Sequence, residues 1–238
     1  MWEMHEYKNS SAVLEALTAK LGQCLSNCVA TRGRASVALS GGSTPQSLYQ
    51  QLSHQALPWQ SVTVSLVDER WVDEVHPQSN ARLVKNSLIQ NEARRAHFVG
   101  MKTSHADAFV AADSLSRILG RETLPLDLVL LGMGLDGHTA SFFPHAQGLE
   151  MALADDCRQV CCAIQPQTDD NQAAPLARMT LSLNTILAAH QRILYIRGEA
   201  KRQVLEQAFT PGSYADMPVR AVLHNNPILT EIYYAPDD

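Results

Sequence analysis

The stretch LDLVLLGMGLDGHTASFFP, Leu126–Pro144, decides the fold. Leu126, Leu128, Val129, Leu130 and Leu131 form a short, nearly continuous apolar run, the pattern of a strand covered on both faces. Open parallel sheets bind ligands in the crevice beyond the carboxyl ends of such strands. Gly132, Gly134, Asp136, Gly137 and His138 follow at once and are expected to line that crevice. Gly132-Met133-Gly134 resembles the opening of a dinucleotide fingerprint. The third glycine and the acidic residue after a second strand are not at the required spacing, so a nicotinamide cofactor is not expected.

On either side, the chain alternates strand and helix patterns. Residues 10–30 read as an amphipathic helix, 35–39 as a strand, SGGSTP as a loop and 45–52 as a helix. Val62 to Val67 reads as a strand running into Asp68-Glu69-Arg70, and 79–89 and 105–119 read as helices. Beyond the central strand, further strands are expected at 159–164, 179–183, 192–196, 219–223 and 231–234, with helices near 185–189 and 199–209. His224, Asn225, Asn226 and Pro227 read as a turn. The alternation predicts an α/β fold, a doubly wound, mainly parallel sheet with helices on both faces.

The 238 residues, 45% hydrophobic and 18% charged, suit a globular chain with a substantial core. No linker, charge block, low-complexity tract or fixed repeat divides it, so a single domain over residues 1–238 is expected. No apolar run is long enough to span a membrane, and the start, MWEMHEYKNSS, lacks the basic-then-apolar order of a signal peptide. A cytoplasmic protein with no membrane partner is the expectation. A net charge of −5 argues against a broad nucleic-acid surface but leaves room for a local basic pocket holding an anionic metabolite. The five cysteines cannot all pair. Cys24 and Cys28 share a helix face with Leu14, Leu17, Leu21 and Leu25, and Cys161-Cys162 fall in a strand, so buried reduced thiols are expected rather than zinc knuckles.

Several loops could carry chemistry. Ser40, Gly41, Gly42, Ser43, Thr44 and Pro45 lie between a strand and a helix, where backbone N–H groups and a helix terminus favour an anion. Thr44 is expected to cap that helix with Pro45 in its first position. An ordinary capped turn explains the loop equally well, and without a Gly-Lys-Ser/Thr ending it is not a P-loop. Asp68 and Arg70 end a strand and can share the crevice, although three consecutive charges usually make a solvated turn. His138 can exchange a proton near neutral pH, and Asp136 is close enough to set its tautomer or charge. Arg178 precedes the strand MTLSL and Lys201 opens the helical EAKRQVLEQAF. Each suits a solvated surface cation, yet together they would give a phosphate charge-assisted hydrogen bonds. The histidines show no metal-ligand spacing, so no catalytic metal is expected.

Taken in order, SGGSTP, VDER, GMGLDGHTASFFP, RMTLSLNTI and GEAKRQVL resemble the glucosamine-6-phosphate isomerase/6-phosphogluconolactonase family, on its 6-phosphogluconolactonase side. The resemblance runs from about Ala35 to the end of the chain. It implies a modified Rossmann-like fold shared with glucosamine-6-phosphate deaminase. It also implies hydrolysis of 6-phospho-D-glucono-1,5-lactone to 6-phosphogluconate in the oxidative pentose phosphate pathway, with no cofactor or metal. By the same resemblance Ser43, Thr44, the Ser40–Gly42 backbone, Arg178 and Lys201 would hold the phosphate. His138 would be the general base and Asp136 its partner. Arg70 would stabilise the oxyanion or anchor substrate, and Asp68 would position hydroxyls or water.

The nearest alternative is the deaminase or isomerase branch, whose loop resembles DGHIAFNEP and uses its Glu with the His to open a sugar ring. Here Phe143 stands at that Glu position, which favours the lactonase. A second alternative is a sugar-phosphate sensor of related fold that binds without turnover. The residues before Ala35 are too few for a helix-turn-helix unit, and Asp136 and His138 are retained. A serine hydrolase built on Ser43 or Ser141 would need a G-x-S-x-G elbow, which is missing. Oligomeric state, monomer or small homo-oligomer, is left open.

Overall fold

The structure is a computed structural model that describes residues 1–167, 175–225 and 228–237. It opens with strand β1 (Trp2–Glu6) and helix α1 (Ser10–Arg32). The Asn9 side chain accepts from the Ala12 N–H at 3.0 Å to start α1, and Gly33, at φ 75°, ends it by donating to the Val29 carbonyl. Leu14, Leu17, Leu21, Cys24 and Leu25 form its buried face. Next come β2 (Ala35–Leu39), α2 (Gln46–Ser53), β3 (Val62–Leu66), β4 (Asp68–Arg70), α3 (Asn80–Ser87), β5 (His97–Phe98) and α4 (Ala108–Glu122). The second half contains β6 (Leu128–Leu131), α5 (Leu149–Leu153), β7 (Cys161–Ile164), β8 (Arg178–Leu181) and α6 (Leu183–Leu187). It closes with β9 (Gln191–Arg197), α7 (Glu199–Ala208), α8 (Val219–His224) and β10 (Thr230–Ala235).

Seven strands form the main sheet in the order β1-β10-β9-β6-β2-β3-β5, every neighbouring pair parallel. Every residue of β2 and of β6 is buried, as required of strands covered on both faces. From β2 the chain winds outward through β3 and β5, then returns to the other side of β2 with β6, β9 and β10. The direction of winding therefore reverses between β2 and β6, and the loops after these two strands diverge around a crevice. A second, antiparallel sheet, β4-β8-β7, stands beside that crevice.

Four departures from the sequence reading have physical causes. The apolar 219–223 segment is helix α8, not a strand. Pro218 sits at φ −63° and ψ −23° before it, and Val219, Ala221, Val222 and Leu223 are all buried, so no period was available to distinguish the two. His224 ends α8 with Nε2 2.8 Å from the Ala208 carbonyl rather than opening a turn, and Asn226 and Pro227 lie outside the described residues. The strand expected over 179–183 stops at Leu181, because the Ser182 side chain accepts from the Thr185 N–H and starts α6. Pro45, expected in the first position of α2, is instead its N-cap residue, and no side chain, Thr44 included, caps that helix. The sequence reading also missed β1, a largely exposed edge strand, and the five-residue α5.

Asp68-Glu69-Arg70 is a strand with Asp68 and Glu69 buried, not a solvated turn. Glu69 accepts hydrogen bonds from the backbone N–H groups of Arg70, Asn80 and Ala81 at 2.7–2.8 Å and from Ser79 Oγ at 3.0 Å. Burial pushes its pKa up, and these bonds act against that. Glu69→Ala should cost about 2–4 kcal/mol in urea unfolding, because it orphans three buried donors at the start of α3 and the partly buried Arg70 N–H of β4. A loss under about 1 kcal/mol would show that the carboxylate does not anchor α3 to β4.

Candidate active site

The loops after β2 and β6 meet β4, β8 and the start of α7 around a cavity of about 330 Å³. It is lined by Ser40, Gly41, Gly42, Ser43, Thr44, Asp68, Arg70, His138, Arg178 and Lys201, ten of the residues read from the sequence. Asp136 and Gly137, expected on the wall, are not part of it. Asp136 is bonded to His138.

His138 Nδ1 lies 2.6 Å from Asp136 Oδ1, which also accepts from the His138 backbone N–H at 3.1 Å. The loop is closed by Gly134 N–H donating to the His138 carbonyl at 2.9 Å and Gly137 N–H to the Gly134 carbonyl. Burial acts to raise the pKa of Asp136, but hydrogen bonds and charge from His138 outweigh it and hold the carboxyl below its ordinary 3.8. A carboxylate at Nδ1 fixes the proton there and leaves Nε2 as the basic nitrogen. The stability contributed by this ionised Asp136 is fully present above pH 3.8 and lost as pH falls through the lower folded value. In urea unfolding, Asp136→Asn should be destabilised at neutral pH and converge on the parent protein in acid. A constant difference across that range would refute the linkage.

A Cβ at Gly134 would overlap the His138 ring and approach the Asp136 carboxylate, so glycine is what allows the pair to fold back over the loop. Gly134→Ala should therefore displace His138 and lower turnover by roughly 10²-fold, the scale of an ångström's misplacement at a reacting centre. Turnover within threefold of the parent protein would show that the ring tolerates the methyl group.

The cationic wall is built by strand pairing. Arg70 and Arg178 are register partners across β4 and β8, and Asp68 opposes Thr180 two residues along, so all four side chains project from one face. Two like charges directly opposite each other are unfavourable unless an anion lies between them. Burial, then the charge of Arg70, pulls the pKa of Arg178 down, against Asp68 and Glu69. The Nε atoms of both arginines are buried and have no hydrogen-bond partner among the described residues, whereas Arg70 Nη1 donates to the Gln78 carbonyl at 2.6 Å. On α7, Lys201 is half-buried, and burial lowers its pKa against the charge of Asp237. The cavity thus offers three cations with unspent donors to an anion.

Asp68 supplies the opposing charge. Ser141 Oγ donates to its Oδ2 at 2.6 Å, and Asn80 Nδ2 donates to its carbonyl at 2.9 Å and lies 3.4 Å from Oδ1. Ser141 is fully buried and committed to that bond, which argues against it as a nucleophile. A Cβ at Gly41 would collide with Asn80, so glycine there lets the Ser40–Thr44 loop approach α3. Among the described residues, no group of three or more His, Cys, Asp or Glu is placed to hold a metal.

The model of the family described as glucosamine-6-phosphate isomerases/6-phosphogluconolactonase matches residues 8–230. The chain belongs to that family. A 6-phosphogluconolactonase of Rhizobium meliloti (strain 1021) is 40% identical over 233 residues, covering 98% of each chain. The crystal structure of a 6-phosphogluconolactonase from Shewanella baltica OS155 superposes with a TM-score of 0.93 at 38% identity, over 99% of this chain and 98% of that one. A monomeric glucosamine-6-phosphate deaminase shares the fold, with a TM-score of 0.76 at 18% identity and coverage of 98% and 97%.

In this member of the glucosamine-6-phosphate isomerase/6-phosphogluconolactonase family, the lining residues Asn80 and Tyr195 went unremarked in the sequence. Asn80 begins a helix and Tyr195 lies mid-strand in β9, so neither had a local signal of function. Phe143, noted only as a replacement for Glu, is the shared wall of the site. Its ring lies 4.4 Å from that of His138, and the Arg178 guanidinium sits 5.4 Å from the ring centroid.

Proposed function

We propose that the chain hydrolyses 6-phospho-D-glucono-1,5-lactone to 6-phospho-D-gluconate, a reaction of carbohydrate metabolism in the pentose phosphate pathway. The observation that carries this reading is the His138–Asp136 pair, 2.6 Å apart, at a cavity that also presents Arg70, Arg178 and Lys201. A lactone is an activated ester. It needs one base, one oriented water and stabilisation of one negative charge, with no covalent nucleophile.

In the proposed mechanism, Arg178, Lys201, Ser43 and Thr44, with the backbone from Ser40 to Gly42, bind the phosphate and set the ring against His138. Asp136 accepts from Nδ1–H, and Nε2 takes a proton from water as its oxygen attacks the carbonyl carbon. Arg70 stabilises the resulting oxyanion, while Asp68, held by Ser141 and Asn80, positions hydroxyls or water. Collapse breaks the bond from the carbonyl carbon to the ring oxygen. Nε2–H then returns its proton to that oxygen, and the new carboxylic acid releases the second water-derived proton to solvent, leaving the carboxylate product. The scheme calls for no cofactor or metal. Residues 1–238 would act as one lactonase domain, a reading supported by a hydrophobic core cluster that, among the described residues, runs from Val13 to Ala235. No described helix is long and apolar enough to cross a membrane, and we place the activity in the cytoplasm. Its partner is the phosphorylated sugar lactone, with no role for nucleic acid.

The test is hydrolysis of freshly generated lactone, with product coupled to 6-phosphogluconate dehydrogenase and the spontaneous rate subtracted. A large enzyme-dependent rate is expected. No rate above background, together with turnover of glucosamine 6-phosphate, would replace the lactonase with the deaminase branch; saturable binding without turnover of either would make the chain a sensor.

A further inference from the structure

Away from this cavity, Cys157 and Cys162 place their Sγ atoms 3.7 Å apart, at van der Waals contact. Both backbones are held. Cys162 lies in β7 opposite Thr180 of β8, and Asn184 Nδ2 donates to the carbonyls of Cys157 at 3.0 Å, Asp155 at 2.9 Å and Ala154 at 3.2 Å. Approach to the S–S bonding distance of about 2.05 Å therefore falls to side-chain rotation. Cys161 is turned away by strand alternation, with its Sγ 3.4 Å from Ser116 Oγ and 3.8 Å from the Ala112 carbonyl on α4.

Access to the pair is unequal. Cys157 is half-buried and lines a mostly apolar groove of about 410 Å³ with Leu126, Arg158 and Val160, whereas Cys162 is 1% exposed. Leu126 precedes β6, so the groove lies at the amino-terminal end of that strand, opposite the end that carries His138. Burial, and then the neighbouring Cys157, push the pKa of Cys162 far up, which keeps it protonated while Cys157 meets the solvent.

We propose that Cys157 and Cys162 are a peroxide-sensitive thiol pair that closes to an intramolecular disulfide. Cys157 sulfur attacks one oxygen of hydrogen peroxide, breaking the O–O bond to give the sulfenic acid and one water. Cys162 sulfur then attacks the sulfur of Cys157, forming the S–S bond, and the departing hydroxide takes the Cys162 proton as a second water. The two thiols lose two electrons and the peroxide gains them. This inference does not depend on the lactonase reading.

The experiment treats the intact, reduced protein with hydrogen peroxide, then alkylates it under denaturing conditions and weighs it. Of the five cysteines, three should remain alkylatable, and peptide mapping should join residues 157 and 162. Cys157→Ser should abolish the linkage. Cys162→Ala should leave a sulfenic acid on Cys157 that dimedone captures. Unfolding midpoints of both variants in dithiothreitol separate loss of linkage from loss of fold. Five alkylatable thiols, a linkage between Cys24 and Cys28, or a wild-type Cys157 that proceeds to the sulfinic acid would each overturn the proposal.

Discussion

His138→Ala lowers kcat on the lactone by roughly 10²–10⁴-fold, the usual worth of a positioned acid-base group, with little change in the unfolding midpoint. His138 is half-buried at the cavity edge, and its polar side-chain contact is with Asp136 two residues away, so truncation leaves no distant group orphaned. The loop is closed by backbone bonds that alanine retains: Gly134 N–H to the residue 138 carbonyl, and Gly137 N–H to the Gly134 carbonyl. Asp136→Asn should fall at the low end of that range, near 10²-fold, because a carboxylate that is half exposed is partly screened by water. Coupled assay of each variant beside the parent protein checks both values. Turnover of His138→Ala within threefold of the parent would remove the imidazole from the mechanism while leaving the hydrolytic activity to be explained by another base.

Arg178→Ala reduces kcat/KM by roughly 10²–10³-fold, corresponding to about 3–4 kcal/mol for one or two charge-assisted hydrogen bonds in a confined site. The guanidinium projects from β8 opposite Arg70, and its buried Nε has no hydrogen-bond partner among the described residues. Its removal relieves repulsion in the free protein, so stability should hold or rise slightly as affinity falls. Lys201→Ala should share the direction with a smaller effect, since an ammonium cannot make the bidentate contact of a guanidinium. The loss should be largest for phosphorylated substrate and nearly vanish for the unphosphorylated lactone. Equal losses on both would move Arg178 from the phosphate to the reacting carbonyl, and no loss on either would dismantle the anion site.

Much of this was visible in local sequence because the interactions concerned are local. The run at Leu126–Leu131 is buried throughout, including the polar Asp127, whose carboxylate pairs with the exposed Arg32. The Asp136–His138 bond spans two residues and is nearly dictated by the tight glycine-flanked loop. Elements failed where locality failed: α8 buries Val219, Ala221, Val222 and Leu223 with too short an apolar run to show a helical period, and β1 gains its strand character only by pairing with β10 at the far end of the chain.

The sequence by itself determined the α/β class, the strands of the main sheet near its centre, and the loops that would bear chemistry, since apolar periodicity and turn residues act over a few positions. Tertiary structure alone decided that the winding reverses between β2 and β6, that Arg70 faces Arg178, that Ser141 holds Asp68 from 73 residues away, and that Phe143 joins His138 to Arg178. Those relations depend on strand order and on the register of a second sheet, which are set by the packing of segments distant in the chain, so no local pattern encodes them.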